Sequence, residues 1–179
     1  MKYTSILRGI NVSGQKKIKM ADLKSLYEKL GFENIITYIQ SGNVIFDSDI
    51  TSDQDLIAQI EKAIEKQYGF FVPVDLRIKS DLEQIITQCP FDEAQDENYL
   101  TKVLVIFLDK EPEQKRVDDL VSYVKSPEKL VVIGKQVYLL CPNGYGRSKL
   151  TNTFIEKKLN RCATTRNWKS VNKLNELME

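Results

Sequence analysis

Residues 3–14 read Tyr3-Thr4-Ser5-Ile6-Leu7-Arg8-Gly9-Ile10-Asn11-Val12-Ser13-Gly14, a strand-like run that leads into a turn with two glycines and an asparagine. Glycine allows the positive φ angles that a tight turn needs. Arg8 stands where the strand ends, and an arginine is costly to bury unless a partner accepts its hydrogen bonds. We therefore expect Arg8 to meet either another part of the protein or a ligand.

The pattern that follows this strand predicts a complete βαββαβ unit over residues 1–80. Its predicted elements are a strand over 2–8, a helix over 19–30, strands over 34–39 and 43–47, a helix after Thr51-Ser52-Asp53 and a strand over 73–78. Gly31 is typical of a helix end, and Gln40-Ser41-Gly42 is typical of a hairpin turn. This element order is that of a ferredoxin-like, or split βαβ, unit.

Residues 81–179 start a similar pattern and predict a second subdomain, a βαββα unit with a basic helical arm at its C-terminus. Its predicted elements are a short helix over 80–88, a strand over 101–108, a helix over 112–125, hairpin strands over 129–133 and 136–141, and a helix over 148–160. The fold class expected from both halves is α+β, with two ferredoxin-like subdomains whose antiparallel sheets pack together.

The composition argues against several kinds of active site. The 179 residues contain no histidine, so a Ser-His-Asp or Cys-His nucleophile is impossible within the chain. The three cysteines, Cys89, Cys141 and Cys162, are widely spaced and predict reduced thiols, and no cluster typical of a metal site occurs. We expect no metal and no cofactor. The chain lacks a signal-peptide pattern and an apolar run of about 20 residues, so a cytosolic location without membrane contact is expected.

The net charge of +1 hides an uneven distribution along the chain. Residues 46–119 carry eight basic and eighteen acidic side chains, whereas residues 145–173 carry eight basic side chains and one acidic one. Residues 1–45 are also basic, with seven basic and three acidic side chains. A basic segment is usually only a solvated face, but the Gly/Asn turns in these two segments strengthen the alternative of an anion site.

Two turns of the first half are candidates for that site. In a split βαβ unit the first two strands are parallel, so the hairpin turn around Gln40 and Asn43 is expected at the Arg8 end of the sheet. There it could meet Arg8 and Asn11, with Lys19 close by. The other interpretation is structural: a hairpin turn and an internal ion pair of Arg8, without any ligand.

Two stretches of the second half are further candidates. Gly144-Tyr145-Gly146-Arg147-Ser148-Lys149 places two cations beside a predicted helix N-cap at Ser148, which is either an anion cradle or an ordinary connection. Cys162-Ala163-Thr164-Thr165-Arg166-Asn167-Trp168 precedes an amphipathic helix that Thr165 or Asn167 could cap. Neighbouring arginines could lower the pKa of Cys162, although a buried, inert thiol is the other interpretation.

These segments together resemble the bacterial domain-of-unknown-function family 1697 over nearly the whole chain. The resemblance is carried by five segments: 7–14, Lys17-Ile18-Lys19-Met20, Tyr38-Ile39-Gln40-Ser41-Gly42-Asn43-Val44, Gly146-Arg147-Ser148-Lys149-Leu150 and Ala163-Thr164-Thr165-Arg166-Asn167-Trp168. Ser13 departs from the family pattern, in which a glycine is expected. The resemblance implies a compact two-part α+β fold with ferredoxin-like halves. It implies no activity, because the family has no established catalytic residues.

The first functional hypothesis is a protein, enzyme or not, that binds a small phosphate- or carboxylate-bearing ligand between its two subdomains. Arginine, lysine and asparagine side chains supply the hydrogen-bond donors that such a ligand needs. The candidate contacts are Arg8, Asn11, Lys19, Gln40, Asn43, Arg147, Lys149, Arg166 and Asn167. No catalytic residue is assigned.

Two alternatives remain open at this point. In a structural or protein-interaction module, the turns would only fix the subdomains, and Arg8 and Arg166 would pair with carboxylates. Nucleic-acid binding would need exposed aromatic side chains on the central strands, for which Tyr3 and Phe46 are the candidates. The chain has no ribonucleoprotein motif and a near-neutral charge, both of which disfavour this alternative. The oligomeric state is left open.

Overall fold

The computed structural model describes all residues from Met1 to Glu179, and the chain divides into two units. The first unit comprises Met1–Glu83 together with Leu174–Glu179, and the second comprises Gln84–Lys173. Each unit contains one four-stranded antiparallel sheet. No helix combines the length and the apolar character that crossing a membrane requires.

The first unit has the predicted βαββαβ order. Its elements are β1 (Lys2–Leu7), α1 (Met20–Lys29), β2 (Glu33–Tyr38), β3 (Asn43–Asp47), α2 (Asp53–Tyr68) and β4 (Val74–Arg77), and α3 (Lys79–Thr87) follows them. The sheet order is β2-β3-β1-β4. Asn43 lies opposite both Ile6 and Tyr38, and Leu7 lies opposite Val74. The ends of β1 and β2 and the starts of β3 and β4 therefore meet at one end of the sheet.

Helix α2 shows why this part of the sequence is helical. Ser52 caps its N-terminus, because the side chain accepts a hydrogen bond from the Asp55 backbone N–H at 3.3 Å. The helix ends at Gly69, which takes the left-handed conformation with φ 77°. Leu56, Ile60 and Ile64 recur every four residues and are fully buried, so one face of the helix packs into the core.

The core of the first unit is rich in aromatic side chains from both helices and strands. Phe46 stacks on Phe32 with ring centroids 4.5 Å apart and meets Tyr3 at 5.8 Å and Tyr27 at 5.3 Å. Tyr3 and Phe46 are at most 1% exposed. The two aromatic side chains that the nucleic-acid hypothesis needed on the surface therefore belong to the core, because their strand positions face the helices.

The second unit repeats the topology of the first. Its elements are β5 (Val103–Leu108), α4 (Gln114–Val121), β6 (Lys129–Ile133), β7 (Gln136–Leu140), α5 (Asn152–Leu159) and β8 (Ala163–Asn167). Helix α6 (Trp168–Leu177) begins in the second unit and ends in the first, to which residues from Leu174 belong. The sheet order is β6-β7-β5-β8, which matches β2-β3-β1-β4 strand for strand. The predicted α+β class with two ferredoxin-like subdomains is confirmed.

Several local predictions in the second unit differ from the structure, two of them at β8 and at the start of α5. β8 extends the predicted βαββα pattern to a full βαββαβ unit by pairing with β5. The helix predicted from residue 148 begins only at Asn152, where Thr151 caps it by accepting a hydrogen bond from the Phe154 N–H at 3.2 Å. Ser148 instead accepts the Leu150 N–H at 3.0 Å. The reason is Leu150, whose side chain is buried and holds the chain extended before the helix.

Candidate functional site

The Arg8 end of the first sheet holds a network centred on Asn11. The Asn11 side-chain amide donates to the carbonyls of Ile18 at 2.9 Å and Gln40 at 2.8 Å, and its oxygen accepts the Ile18 N–H at 2.9 Å. Asn11 takes φ 56°, a left-handed conformation that asparagine tolerates better than most residues. The glycine turn and the hairpin turn therefore meet, and the Asn11 side chain joins them.

The other candidates at this end differ in exposure. Asn43 is fully buried and donates to the Tyr38 carbonyl at 3.0 Å and the Ser41 hydroxyl at 3.1 Å. Arg8 is half-buried, and its backbone N–H donates to the Pro73 carbonyl at 3.0 Å. Lys19 and Gln40 are exposed. The two asparagine side chains thus bind protein groups in this unit.

Replacing Asn11 should reveal this structural role. Asn11→Ala removes three hydrogen bonds and leaves a β-carbon in a left-handed turn, so we expect a loss of about 2 kcal/mol in the free energy of unfolding. Urea denaturation followed by circular dichroism measures it. Asn11→Gly is the matched control, since it loses the same hydrogen bonds but fits the backbone, and its loss should be smaller. Unchanged midpoints for both variants would contradict the assigned role.

A cavity of about 280 Å³ in the first unit is lined by side chains of mixed charge. Asp53, Asp81 and Arg77 contribute to it. Arg77 already donates to both carboxylate oxygens of Asp75, at 2.7 and 2.9 Å, and the Asp81 carboxylate accepts the Ile78 N–H at 3.0 Å. The acidic side chains and the engaged guanidinium make this cavity poorly suited to an anion.

A second cavity, of about 310 Å³, lies in the second unit and has a different character. Its lining comes from two loops, residues 123–128 between α4 and β6 and residues 143–149 between β7 and α5. Both loops lie at the same end of the sheet, because Lys129 at the start of β6 pairs with Leu140 at the end of β7. We call it the basic cavity, since Lys125, Arg147 and Lys149 line it together with one carboxylate, that of Glu128.

The cations of the basic cavity are not engaged by acidic side chains. Lys125, Arg147 and Lys149 are exposed, and none of the three pairs with a carboxylate. By contrast, Lys129 pairs with Glu93 at 2.6 Å, and Lys158 pairs with Asp119 at 3.0 Å. The three cationic side chains of the cavity therefore keep their hydrogen-bond donors for another partner.

Cys141 directly follows β7, at the start of the second loop of the basic cavity, and does not line the cavity. This thiol is only 1% exposed. Burial is the main reason that the pKa of Cys141 is raised to about 11. The thiol therefore stays protonated at neutral pH, which argues against a role as a nucleophile.

Tyr123 forms an aromatic part of the cavity lining. Its hydroxyl accepts a hydrogen bond from the Lys158 ammonium group at 2.7 Å, and the same group lies 3.9 Å from the centroid of the Tyr123 ring. The ring also meets Phe154 edge to face, with centroids 5.3 Å apart. These contacts fix the ring, although the side chain is 44% exposed.

The last two candidates lie on β8 and do not line the basic cavity. Arg166 is buried, and its guanidinium donates to the Thr165 carbonyl at 2.9 Å. The Asn167 side chain accepts a hydrogen bond from the Ser170 N–H at 2.9 Å and so caps α6, and Asn167 is one of the two capping residues predicted from the sequence. Trp168 is buried. No group of three or more potential metal-ligating side chains occurs in the chain.

The loop that contributes Tyr123 and Lys125 belongs to no predicted site, and both residues fall within the helix predicted over 112–125. That helix is wrong at its end, because α4 stops at Val121. The loop sequence, Tyr123-Val124-Lys125-Ser126-Pro127, carries only a turn signal in Ser-Pro. The proximity of this loop to residues 143–149 follows from the pairing of β6 with β7, which spacing along the chain does not show. A lysine next to a proline turn after a helix was the one available signal.

Comparisons with known proteins support the fold and indicate no activity. The model of the family described as "Protein of unknown function (DUF1697)" matches residues 1–138. The structure of the conserved bacterial protein SP0830 from Streptococcus pneumoniae is similar, with a TM-score of 0.77 and 25% sequence identity. That similarity covers 99% of this chain and 98% of the other. No curated protein matches the chain.

Proposed function

We propose that this chain, which belongs to the DUF1697 family of proteins of unknown function, binds a small anionic ligand in the basic cavity of its second unit. The ligand class is a small molecule with a phosphate or carboxylate group. The observation that carries the proposal is the convergence of Lys125, Arg147 and Lys149 on one cavity without carboxylate partners.

The charge balance of the cavity supports an anionic ligand. Three cationic side chains and the single carboxylate of Glu128 leave a net charge of +2 in the lining. A phosphate group carries a charge that the remaining cations balance.

Arg147 is expected to contribute most to binding. A guanidinium offers donors in a planar fork that matches two oxygens of a phosphate or carboxylate, whereas a lysine acts as a single point charge. Asn143 adds an amide to the lining, and Gly144, with φ 92°, allows the backbone to turn there. Arg147 is therefore the residue to replace first.

The first test is binding of inorganic phosphate and ribose 5-phosphate, measured by isothermal titration calorimetry at low ionic strength. We expect saturable binding of one equivalent, and about ten-fold weaker binding by Arg147→Ala, the loss typical of a hydrogen bond to a charged group. Arg147→Lys should lose part of the affinity, since it keeps the charge and loses the fork.

Lys135→Ala is the matched control for this test. Lys135 is also an exposed cation of the second unit, but it lies in the β6–β7 turn at the opposite end of the sheet. Its replacement should leave the affinity unchanged. Equal weakening in Arg147→Ala and Lys135→Ala would mean general electrostatic attraction, and absence of saturable binding would reject the proposal outright.

A further inference from the structure

We infer that the ligand of the basic cavity carries a planar ring next to its phosphate, as a nucleoside monophosphate does, and that Tyr123 is the residue that recognises this ring. The inference rests on the proposed function and extends it to a ligand class. The observation that supports this extension is an aromatic side chain in the lining of the cavity, beside cationic side chains that suit a phosphate.

The Tyr123 ring has the properties of a stacking surface. Its hydroxyl is bound by Lys158 at 2.7 Å, and Phe154 holds the ring edge to face, so little side-chain freedom remains to be lost on binding. The same Lys158 ammonium group lies 3.9 Å from the ring centroid and covers one face, so a base would have to stack on the opposite face. The side chain is nevertheless 44% exposed. An aromatic ring held in this way offers contact area at low entropic cost.

The surroundings of Tyr123 supply the rest of a nucleotide-like site. Lys125 follows it by two residues, and Arg147 and Lys149 line the same cavity from the other loop. The volume of about 310 Å³ lies at the lower end of the range of about 300–1,000 Å³ for small-molecule sites. This volume favours a ligand with one base and one phosphate over a dinucleotide.

The test compares AMP with ribose 5-phosphate by isothermal titration calorimetry. The two probes share the phosphate and the sugar and differ by the base, so their affinity ratio isolates recognition of the ring. We expect AMP to bind about ten-fold more tightly to the wild-type chain, the size of effect that one base stacked on an aromatic side chain produces. Tyr123→Leu should bring the ratio close to one, while Tyr123→Phe should keep most of it.

Tyr99→Leu is the matched control variant. Tyr99 is likewise a tyrosine of the second unit with a lysine near its ring, Lys102 at 4.8 Å from the centroid, but it does not line the basic cavity. This variant should preserve the ratio, and circular dichroism confirms that each variant is folded.

The possible outcomes separate this inference from the proposed function. Equal affinity for AMP and ribose 5-phosphate would overturn the inference and leave the anion site standing. A ratio that survives Tyr123→Leu would also overturn it, since the base would then be recognised elsewhere. Failure of both probes to bind would reject the proposed function itself.

Discussion

Gly42→Ala should destabilise the protein by about 3–4 kcal/mol, a large part of the 5–15 kcal/mol by which a typical domain is stable. Gly42 takes φ 79°, where a residue with a β-carbon costs about 1–2 kcal/mol. A β-carbon there would also lie 2.5 Å from Ile10 Cδ1 and 3.0 Å from Leu7 Cβ. Because both neighbours are buried, relieving this overlap costs about a further 1–3 kcal/mol.

Gly31→Ala separates the two contributions in the Gly42 experiment. Gly31 has nearly the same backbone, φ 83°, but a β-carbon there would meet nothing within 4 Å. It should therefore lose only the backbone contribution, about 1–2 kcal/mol. Urea denaturation of both variants measures the difference, with the slope m expected to stay constant. Equal losses would show that the close approach at Gly42 has no energetic effect.

The hairpin turn that contains Gly42 shows how far the candidate site could be predicted from the sequence. The hairpin turn and its position at the Arg8 end followed from the element order, because a split βαβ unit leaves only one place for it. The structural role of the hairpin turn could not be predicted from the element order. An asparagine that closes a turn and an asparagine that binds a ligand look the same in a sequence, and Asn11 and Asn43 belong to the first kind by their contacts.

The predictions for β8 and for the start of α5 were wrong for the same physical reason. β8 is short and polar, with Thr164, Thr165 and Arg166 at its centre, so no apolar alternation marks it. It is a strand because β5 offers an edge for pairing, with Val105 opposite Arg166. The start of α5 was decided in the same way, by the burial of Leu150 rather than by the capping propensity of Ser148. In both cases tertiary contacts override local propensity.

Only one of the two loops that line the basic cavity could be predicted from the sequence. Arg147 and Lys149 stand out because two cations lie among glycines in a segment of high positive charge. Tyr123 and Lys125 belong to a loop more than 20 positions earlier, and a lone tyrosine or lysine after a helix is ordinary. Only the β6–β7 pairing brings the two loops to one sheet end, which is why the aromatic part of the proposed site needed the structure.

The second large effect is expected for Asp75→Ala, at about 3–5 kcal/mol, the loss typical of breaking a buried ion pair from one side. Asp75 and Arg77 are two residues apart on β4, so their side chains leave the strand on the same face. The guanidinium donates to both carboxylate oxygens, and the two side chains are only 6% and 15% exposed. Removing the carboxylate leaves a desolvated positive charge without its bidentate acceptor.

Two comparisons make the Asp75 experiment decisive, both by urea denaturation. Glu93→Ala breaks the Lys129–Glu93 pair, which is as short, at 2.6 Å, but has its lysine 54% exposed, so a much smaller loss is expected. The double variant Asp75→Leu/Arg77→Met removes both charges and should recover most of the stability, because the cost lies in burying a guanidinium that has lost its bidentate acceptor. Two outcomes would contradict the importance of burial for this ion pair. One is an equally small loss of stability in Asp75→Ala and Glu93→Ala, and the other is a double variant no more stable than Asp75→Ala alone.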